Sequence, residues 1–136
     1  VNDNRLVGSV PSALGSLVKA VNLGLYGNNF TGSIPPELGN LVLLDGLELD
    51  SNNLTGTIPP ELGNITRATY LFLDNNHLTG TIPSSLGSMT ELLYVMVDHN
   101  SLTGSLPSTL CAWRELFYLS ANSNQLSAPY PRALVT

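Results

Sequence analysis

Leucine and isoleucine recur along this chain in a fixed pattern, with polar or small residues between them. Between residues 47 and 65 the apolar positions are 47, 49, 54, 58, 62 and 65. The alternation of Leu47 with Leu49 has the period of two that is typical of a β-strand with one buried face. The same arrangement returns between residues 71 and 89. We therefore predict one short strand in each unit and parallel stacking of these strands.

The unit is 24 residues long, and columns of asparagine, proline and glycine mark it independently of the leucines. Each unit can bury its apolar face only against its neighbours, so this self-similarity predicts a solenoid. The glycine column predicts a bend or a close backbone approach, and residues 60–63 predict a short 3-10 turn rather than a long helix. Asparagine occupies Asn4, Asn28, Asn52, Asn76, Asn100 and Asn124, and proline occupies Pro11, Pro35, Pro59, Pro83, Pro107 and Pro131.

One complete unit reads L-x-L-x-x-N-x-L-T-G-x-I-P-x-x-L-G-x-L. It resembles the plant-type leucine-rich repeat of receptor-kinase ectodomains, polygalacturonase-inhibiting proteins and algal or stramenopile repeat proteins. The resemblance covers nearly the whole chain and implies an α/β solenoid. The implied superhelix is right-handed, with a parallel concave β-sheet, a convex side of short 3-10 turns and little true helix.

The resemblance also implies a domain organisation and a role for the asparagine column. Residues 1–136 form a single leucine-rich-repeat domain of about five to six repeats, in which both capping regions are missing, because plant-type caps carry paired cysteines and this chain has one. We expect a piece of a longer protein, or a chain whose ends neighbouring subunits cover. In this family the buried amide of each asparagine binds backbone groups of adjacent turns. The implied ladder consists of Asn28, Asn52, Asn76, Asn100 and Asn124.

The charge composition argues against nucleic acid as a partner. The formal net charge is −5, and five Lys and Arg residues in all leave no basic patch for phosphate groups. The longest apolar stretches, such as residues 41–44, are far shorter than the roughly 20 residues that span a bilayer. We therefore expect no membrane insertion by this segment.

Catalytic and metal-binding patterns are missing from the sequence. The two histidines, His77 and His99, have no Ser, Cys or carboxylate at a spacing that fits a catalytic triad or a zinc motif. We expect no enzyme activity, no metal and no cofactor. Cys111 is interpreted as a half-buried free cysteine or as half of a bridge to a cap or partner, and Trp113 as a core residue in a leucine column.

Three Asn-x-Ser/Thr sequons begin at Asn29, Asn53 and Asn64. Such triplets are acceptors for N-glycans in secreted proteins. The first two arise partly from the repeat itself, whereas Asn64 is independent of it. Together with the family resemblance, the sequons favour an extracellular or cell-surface location.

The outward positions of the predicted concave sheet form the candidate ligand-binding surface. Large aromatic residues collect there in the third to fifth strands, next to an acidic column, where earlier strands carry Asn22, Gly24 and Gly46. Exposed aromatic patches usually mark interaction sites. A competing interpretation treats the aspartates and His99 as solvated surface residues without a ligand. Calcium binding by the aspartates is a weaker option, because no loop closes around them. The candidate ligand-binding residues are Tyr70, Phe72, Asp74, Tyr94, Met96, Asp98, His99, Phe117 and Tyr118.

These observations predict a protein or peptide recognition module that binds through its concave face, within a receptor ectodomain, an extracellular inhibitor or an assembly subunit. The expected partner is a protein or peptide of basic or mixed apolar character. Two alternatives stay open: a structural scaffold or spacer in a large complex, and an ice-binding protein that uses a hydroxyl ladder on the convex side. The ladder runs through Thr31, Thr55, Thr79 and Thr103, parallel to Ser33, Thr57, Thr81 and Ser105.

Overall fold

The computed structural model describes residues 4–127 as a stack of similar coils. Pro131, the last member of the proline column, lies outside the described residues. The strands are β1 (Val7–Ser9), β2 (Asn22–Gly24), β3 (Asn29–Ser33), β4 (Gly46–Glu48), β5 (Asn53–Thr55), β6 (Tyr70–Phe72), β7 (Thr79–Gly80), β8 (Tyr94–Met96), β9 (Ser101–Gly104), β10 (Tyr118–Ser120) and β11 (Gln125–Leu126). The 3-10 turns are η1 (Ser12–Ser16), η2 (Pro36–Asn40), η3 (Pro60–Asn64), η4 (Ser84–Ser88) and η5 (Ser108–Ala112).

Strands β2, β4, β6, β8 and β10 form one parallel sheet, the concave sheet. Each residue pairs with its equivalent 24 positions away, so that Leu47 lies beside Leu71. Both leucines are fully buried, because alternate side chains of a strand point to one face. The buried leucines of all repeats join in one continuous core. The predicted parallel stacking is therefore confirmed.

A second set of strands, the lateral sheet, lies where the chain leaves the concave sheet, and the sequence analysis did not predict it. Strands β1, β3 and β5 pair in parallel, as do β7, β9 and β11, and an isolated bridge joins Thr57 to Thr79. The alternation behind it is visible in β5, where Leu54 is buried between two exposed neighbours. The threonine and serine columns predicted for the convex side lie on or beside these strands, because the Thr-Gly segment is extended.

The turns have the short 3-10 form that the sequence predicts, and the described residues contain no α-helix. Pro59 precedes η3 with a φ of −64°, which suits the extended approach to the turn. Gly39 lies against the next coil, and a Cβ there would collide with the backbone carbonyl of Glu61. Glycine at this position therefore sets the close spacing between turns.

The asparagine column binds backbone groups that would otherwise be buried without partners. In Asn76, Nδ2 donates to the carbonyls of Leu49 at 3.0 Å and Leu73 at 3.2 Å. Its Oδ1 accepts the backbone N–H of Leu54 at 2.9 Å. One side chain thus links two consecutive coils, since it bonds to its own coil and to the preceding one at two places, Leu49 and Leu54. Corresponding bonds are made by Asn28, Asn52, Asn100 and Asn124.

Two residues near the C-terminal end of the described chain interrupt the consensus. Trp113 is buried, and its Nε1 donates to the carbonyl of Leu86 at 3.0 Å. Cys111 is a free cysteine and is exposed, so the expectation of a half-buried thiol is wrong. In the preceding repeat the position of Cys111 is held by Gly87, which lies against the next coil. A Cβ at Gly87 would lie 2.6 Å from the backbone oxygen of Thr109. No described turn follows η5, so nothing in residues 4–127 covers the thiol from that side.

Candidate binding surface on the concave sheet

The outward face of the concave sheet presents three columns of side chains that run across its strands. The first column holds Asn22, Gly46, Tyr70, Tyr94 and Tyr118, and the middle column holds Gly24, Glu48, Phe72, Met96 and Ser120. The acidic column follows two residues later with Tyr26, Asp50, Asp74, Asp98 and Asn122. Of the predicted ligand-binding residues, all but His99 and Phe117 stand in these columns.

The acidic column holds carboxylates just after neighbouring strands, and the basic side chain beside them is His99, which contacts Asp98. Burial, followed by repulsion from Asp74, raises the pKa of Asp50 to about 6. Burial likewise raises the pKa of Asp74. The Oδ2 atom of Asp74 accepts a hydrogen bond from Asn75 at 2.7 Å, whereas its Oδ1, shielded from solvent, has no donor. The column therefore has acceptor capacity that this chain does not fill.

His99 follows the acidic column and lies where the chain turns off the sheet. Its φ of 50° belongs to a column of positive φ values that includes Ser51 and Asn75. The Nδ1 atom of His99 is 2.7 Å from Oδ2 of Asp98. Burial alone would raise the pKa of Asp98, but its side-chain hydrogen bonds to Ser120 and His99 lower it. The pKa values of Asp98 and Asp50 are therefore shifted in opposite directions, and the fold favours the ionised form of Asp98.

Tyr70 lies across the sheet towards the N-terminal strands instead of projecting from it. Gly46 is its neighbour in the first column, and a Cβ on Gly46 would overlap the Tyr70 ring. The phenol hydroxyl reaches two strands away and donates to Oδ1 of Asn22 at 2.6 Å. The ring of Phe72 lies beside it, with 5.4 Å between the ring centroids. The Tyr70 ring therefore covers Gly46 and reaches Asn22 in the first column.

The C-terminal half of the face carries an exposed aromatic cluster, formed by Tyr94, Phe117 and Tyr118. The rings of Tyr94 and Phe117 are tilted against each other, with centroids 5.6 Å apart. The exposed fractions are 38% for Tyr94, 78% for Phe117 and 47% for Tyr118. Phe117 precedes β10, so it stands at the edge of the concave sheet and not in one of its columns. Its counterparts in earlier repeats are Val21, Asp45, Thr69 and Leu93.

The sequons lie away from the concave sheet. Asn29 begins β3, Asn53 begins β5 and Asn64 ends η3, and all three side chains are exposed. In each sequon the middle residue is buried, which leaves the asparagine and the threonine on the outside. A glycan at any of them would project from the lateral sheet or from the turns.

The hydroxyl columns give the lateral sheet an even surface. Thr79 turns its Oγ1 back to the carbonyl of Gly56 at 3.3 Å. The methyl group of Thr57 covers Gly80, where a Cβ would come within 2.8 Å of it. Because Gly80 also has a φ of 75°, a side chain there would be strained as well as crowded. The glycine column therefore keeps bulky groups out of this face.

The carboxylates of the concave face are arranged in a line across the strands. Within residues 4–127, no group of three or more His, Cys, Asp or Glu side chains could hold a metal ion. None of the helical segments described is long and apolar enough to cross a membrane.

The family model for the leucine-rich repeat matches residues 20–41, 44–65 and 67–89. These segments contain the strands, the asparagines and the turns of three consecutive coils. The chain belongs to the leucine-rich repeat family. A direct comparison with curated protein sequences gives no match.

Among solved structures, plant receptor ectodomains share this fold. The ectodomain of the membrane receptor kinase GASSHO1/SCHENGEN3 from Arabidopsis thaliana, in complex with CASPARIAN STRIP INTEGRITY FACTOR 2, superposes with a TM-score of 0.95 at 34% identity, over 98% of this chain and 16% of that one. The Arabidopsis receptor kinase HAESA, in complex with the peptide hormone IDA and the co-receptor SERK1, gives 0.92 at 36% identity, over 96% and 22%. This chain therefore spans less than a quarter of either receptor ectodomain's length.

A plant ice-binding protein has the same fold. It superposes with a TM-score of 0.82 at 26% identity, over 93% of this chain and 48% of that one. The leucine-rich repeat scaffold is thus shared by proteins with different binding activities, and the surface columns distinguish them.

Proposed function

We propose that the chain is a peptide-recognition module of the extracellular leucine-rich repeat type, and that it binds through the C-terminal half of its concave sheet. The observation that carries this placement is the exposed aromatic cluster of Tyr94, Phe117 and Tyr118 beside the acidic column. Relatives of the same fold support a peptide as the ligand class, because HAESA was solved with a peptide hormone. Aromatic side chains are frequent anchors at such interfaces.

The chemistry of the face favours a peptide with apolar and basic side chains. The aromatic cluster offers ring faces for apolar groups, and a cation can also lie against a tyrosine ring. Asp50, Asp74 and Asp98 bring three carboxylates to the acidic column, and His99 pairs with Asp98 alone. A lysine, an arginine or an N-terminal amine of the peptide would offset the negative charge of the column.

Peptide selection with a concave-face variant tests this proposal. Random peptides are displayed, selected on the purified chain and then measured against Phe72→Ala/Tyr94→Ala/Tyr118→Ala, which must keep the wild-type circular dichroism spectrum. We expect the selected peptides to lose at least ~30-fold in affinity, corresponding to ~2 kcal/mol. A lateral-sheet control, Thr57→Ala/Thr81→Ala, should bind as the wild type does. Selection of peptides that bind both variants equally well, or of none, would contradict the proposal.

A second candidate function is ice binding through the lateral sheet. Its support is the even hydroxyl face over β5, β7 and β9 together with the fold shared with a plant ice-binding protein. Thermal hysteresis of the purified chain is the measurement. This candidate predicts hysteresis that Thr57→Tyr/Thr81→Tyr abolishes, because bulky rings disrupt a flat face, and that Tyr94→Ala leaves intact. No hysteresis in the wild-type chain eliminates the candidate.

If the chain is extracellular, as we propose, Asn29, Asn53 and Asn64 can carry N-glycans. None of these glycans would cover the concave sheet. Asn53 pairs with Thr31 in the lateral sheet, so a glycan there would stand on the hydroxyl face. Glycopeptide mass spectrometry of the protein from its native source measures occupancy. Glycan at Asn53 supports the extracellular assignment and opposes ice binding by this face, whereas three unmodified sequons would argue against the assignment.

A further inference from the structure

Tyr70 is held in place by three neighbours on the concave sheet, and each contact involves a different strand. Its ring occupies the space over Gly46 on β4, where any other residue would place a side chain. Its hydroxyl donates to Asn22 on β2 at 2.6 Å. Its ring edge lies against Phe72 on β6 itself, at a centroid distance of 5.4 Å and an interplanar angle of 35°. The side chain is therefore fixed at both of its ends.

We propose that Tyr70 is a positioning residue of the concave site: tethered to Asn22 over Gly46, it holds the Phe72 ring and forms the N-terminal boundary of the ligand groove. This inference rests on the proposed function of the same surface. It assigns the ligand to β6, β8 and β10 and excludes β2 and β4 from the contact area.

The first column explains why Tyr70 alone takes this position. A tyrosine ring of this column can extend along the sheet only over the paired residue of the preceding strand. For Tyr70 that residue is Gly46. For Tyr94 the preceding residue is Tyr70 itself, so no gap is open and its ring turns to Phe117 instead. A cross-strand aromatic ring that covers a glycine is a known way to stabilise a sheet. Here the same arrangement also keeps Tyr70 from being exposed in the way that Tyr94 and Tyr118 are.

The surroundings keep the tether intact. Burial raises the pKa of the Tyr70 phenol, and the carboxylates of Glu48 and Asp45 together with a side-chain hydrogen bond to Glu48 raise it further, so the hydroxyl keeps the proton that it donates. A ring that is already ordered loses little freedom when a ligand binds against it, and preorganisation of this kind improves affinity. The tether therefore acts on binding through Phe72, without contact between Asn22 and the ligand.

A double-mutant cycle on the tether tests this inference, with a peptide selected on the wild-type chain as the probe. Asn22→Ala and Tyr70→Phe each remove the hydrogen bond and keep the Tyr70 or Phe ring. We expect Asn22→Ala to weaken peptide binding about 5-fold and Tyr70→Phe at least as much, because Tyr70→Phe also removes a hydrogen bond to Glu48. The double variant should bind no more weakly than Tyr70→Phe alone, since the Asn22 contact is already lost there. Asn22→Asp retains an acceptor oxygen and should keep most of the affinity.

Two further measurements distinguish a failure of the Tyr70 inference from a failure of the proposed function. The pKa of the Tyr70 phenol, followed by the NMR signals of its ring, should fall in Asn22→Ala, because a donated hydrogen bond favours the protonated phenol, and this measurement reports the tether without any ligand. If the peptides depend on Phe72, Tyr94 and Tyr118 but are indifferent to Asn22→Ala and Tyr70→Phe, this inference is wrong while the proposed function stands. If no peptide depends on the aromatic residues, the proposed function itself fails.

Discussion

The two halves of the concave sheet have the same scaffold and different surfaces. In the N-terminal half, β2 and β4 present Asn22, Gly24 and Gly46, and the ring of Tyr70 lies over the gap they leave. In the C-terminal half, β8 and β10 present tyrosines that project far enough to be 38% and 47% exposed. The inward residues next to the outermost strands are buried in both halves, Leu47 and Leu49 in one and Val95 and Val97 in the other. Leu23 on β2 and Leu119 on β10 are partly buried. Surface character in this fold is therefore set by the outward columns and is independent of the core.

The same comparison shows how a repeat can be altered without loss of its fold. The asparagine bonds and the close approach of the turns recur in both halves. Because each coil is stabilised mainly by its neighbours, exchange of an outward residue affects ligand contacts far more than it affects folding.

The largest expected effect is a loss of stability that is equal in the two halves. Leu54→Ala, in the coil of β4, and Leu102→Ala, in the coil of β8, each empty a fully buried position, and we expect each to lower the free energy of unfolding by roughly 2–5 kcal/mol. Urea denaturation followed by circular dichroism measures both. If the losses in the free energy of unfolding differ between the two variants by more than about 3 kcal/mol, the cores of the two halves are not equivalent.

The next effect should be confined to the C-terminal half. Tyr94→Ala should weaken a selected peptide by about 2 kcal/mol or more and leave the fold unchanged, because its ring points away from the core. Tyr26→Ala is the matched control in the N-terminal half and should bind as the wild type does. Isothermal titration calorimetry distinguishes them, and equal losses would remove the distinction between the halves.

A smaller effect should follow from the unequal carboxylates. The pKa of Asp50, raised to about 6 by burial and by Asp74, exceeds its ordinary value of 3.8. The folded chain therefore keeps a proton that the unfolded chain releases, and this residue makes stability fall as the pH rises from about 4 to about 6. Asp50→Asn should raise stability at pH 7 by ~1 kcal/mol after allowance for solvent screening.

Asp98 provides the control for that charge effect, because its pKa is lowered where that of Asp50 is raised. Its stabilising contribution is present above the unfolded pKa and is lost as the pH falls through the folded value. Asp98→Asn should therefore lower stability at pH 7, opposite in sign to Asp50→Asn. Thermal unfolding at several pH values measures both variants, and the same sign for the two would contradict this account.

The smallest effect should be on association kinetics. Asp74→Asn removes one charge from the acidic column, and we expect a several-fold slower association with a basic peptide and a weaker dependence on salt. Glu61→Gln, on the convex turn, is the control with the same charge change and should leave both unchanged. Surface plasmon resonance at two salt concentrations measures this effect, and an identical response of the two variants would mean that net charge alone is responsible.

The repeat pattern was sufficient to predict the strands of the concave sheet and the 3-10 turns, because each depends on residues a few positions apart. The parallel register followed from the 24-residue period. Leu47 and Leu49 indicated a strand by their spacing alone, and the structure confirms it. The lateral sheet was missed, because Thr-Gly was interpreted as a bend and the alternation around Leu54 was too short to stand out. Cys111 was misjudged, since its exposure depends on whether another turn follows, which its own sequence position does not reveal.

The outward columns were also predictable, since side chains two positions apart share a face of a strand. The orientation of each ring was not, because it depends on the neighbouring strand. Tyr70 and Tyr94 occupy the same column, yet one lies over Gly46 and the other packs on Phe117. The combination of a glycine with a tyrosine 24 residues later is the signal that could have revealed this difference.

A crystal structure of the chain with a selected peptide would show which strands the ligand contacts. We expect a peptide that crosses β6, β8 and β10, contacts Phe72, Tyr94 and Tyr118, and places a basic group at Asp74, with Tyr70 still bonded to Asn22. A peptide bound over β2 and β4, on the lateral sheet or on the convex turns would contradict this expectation.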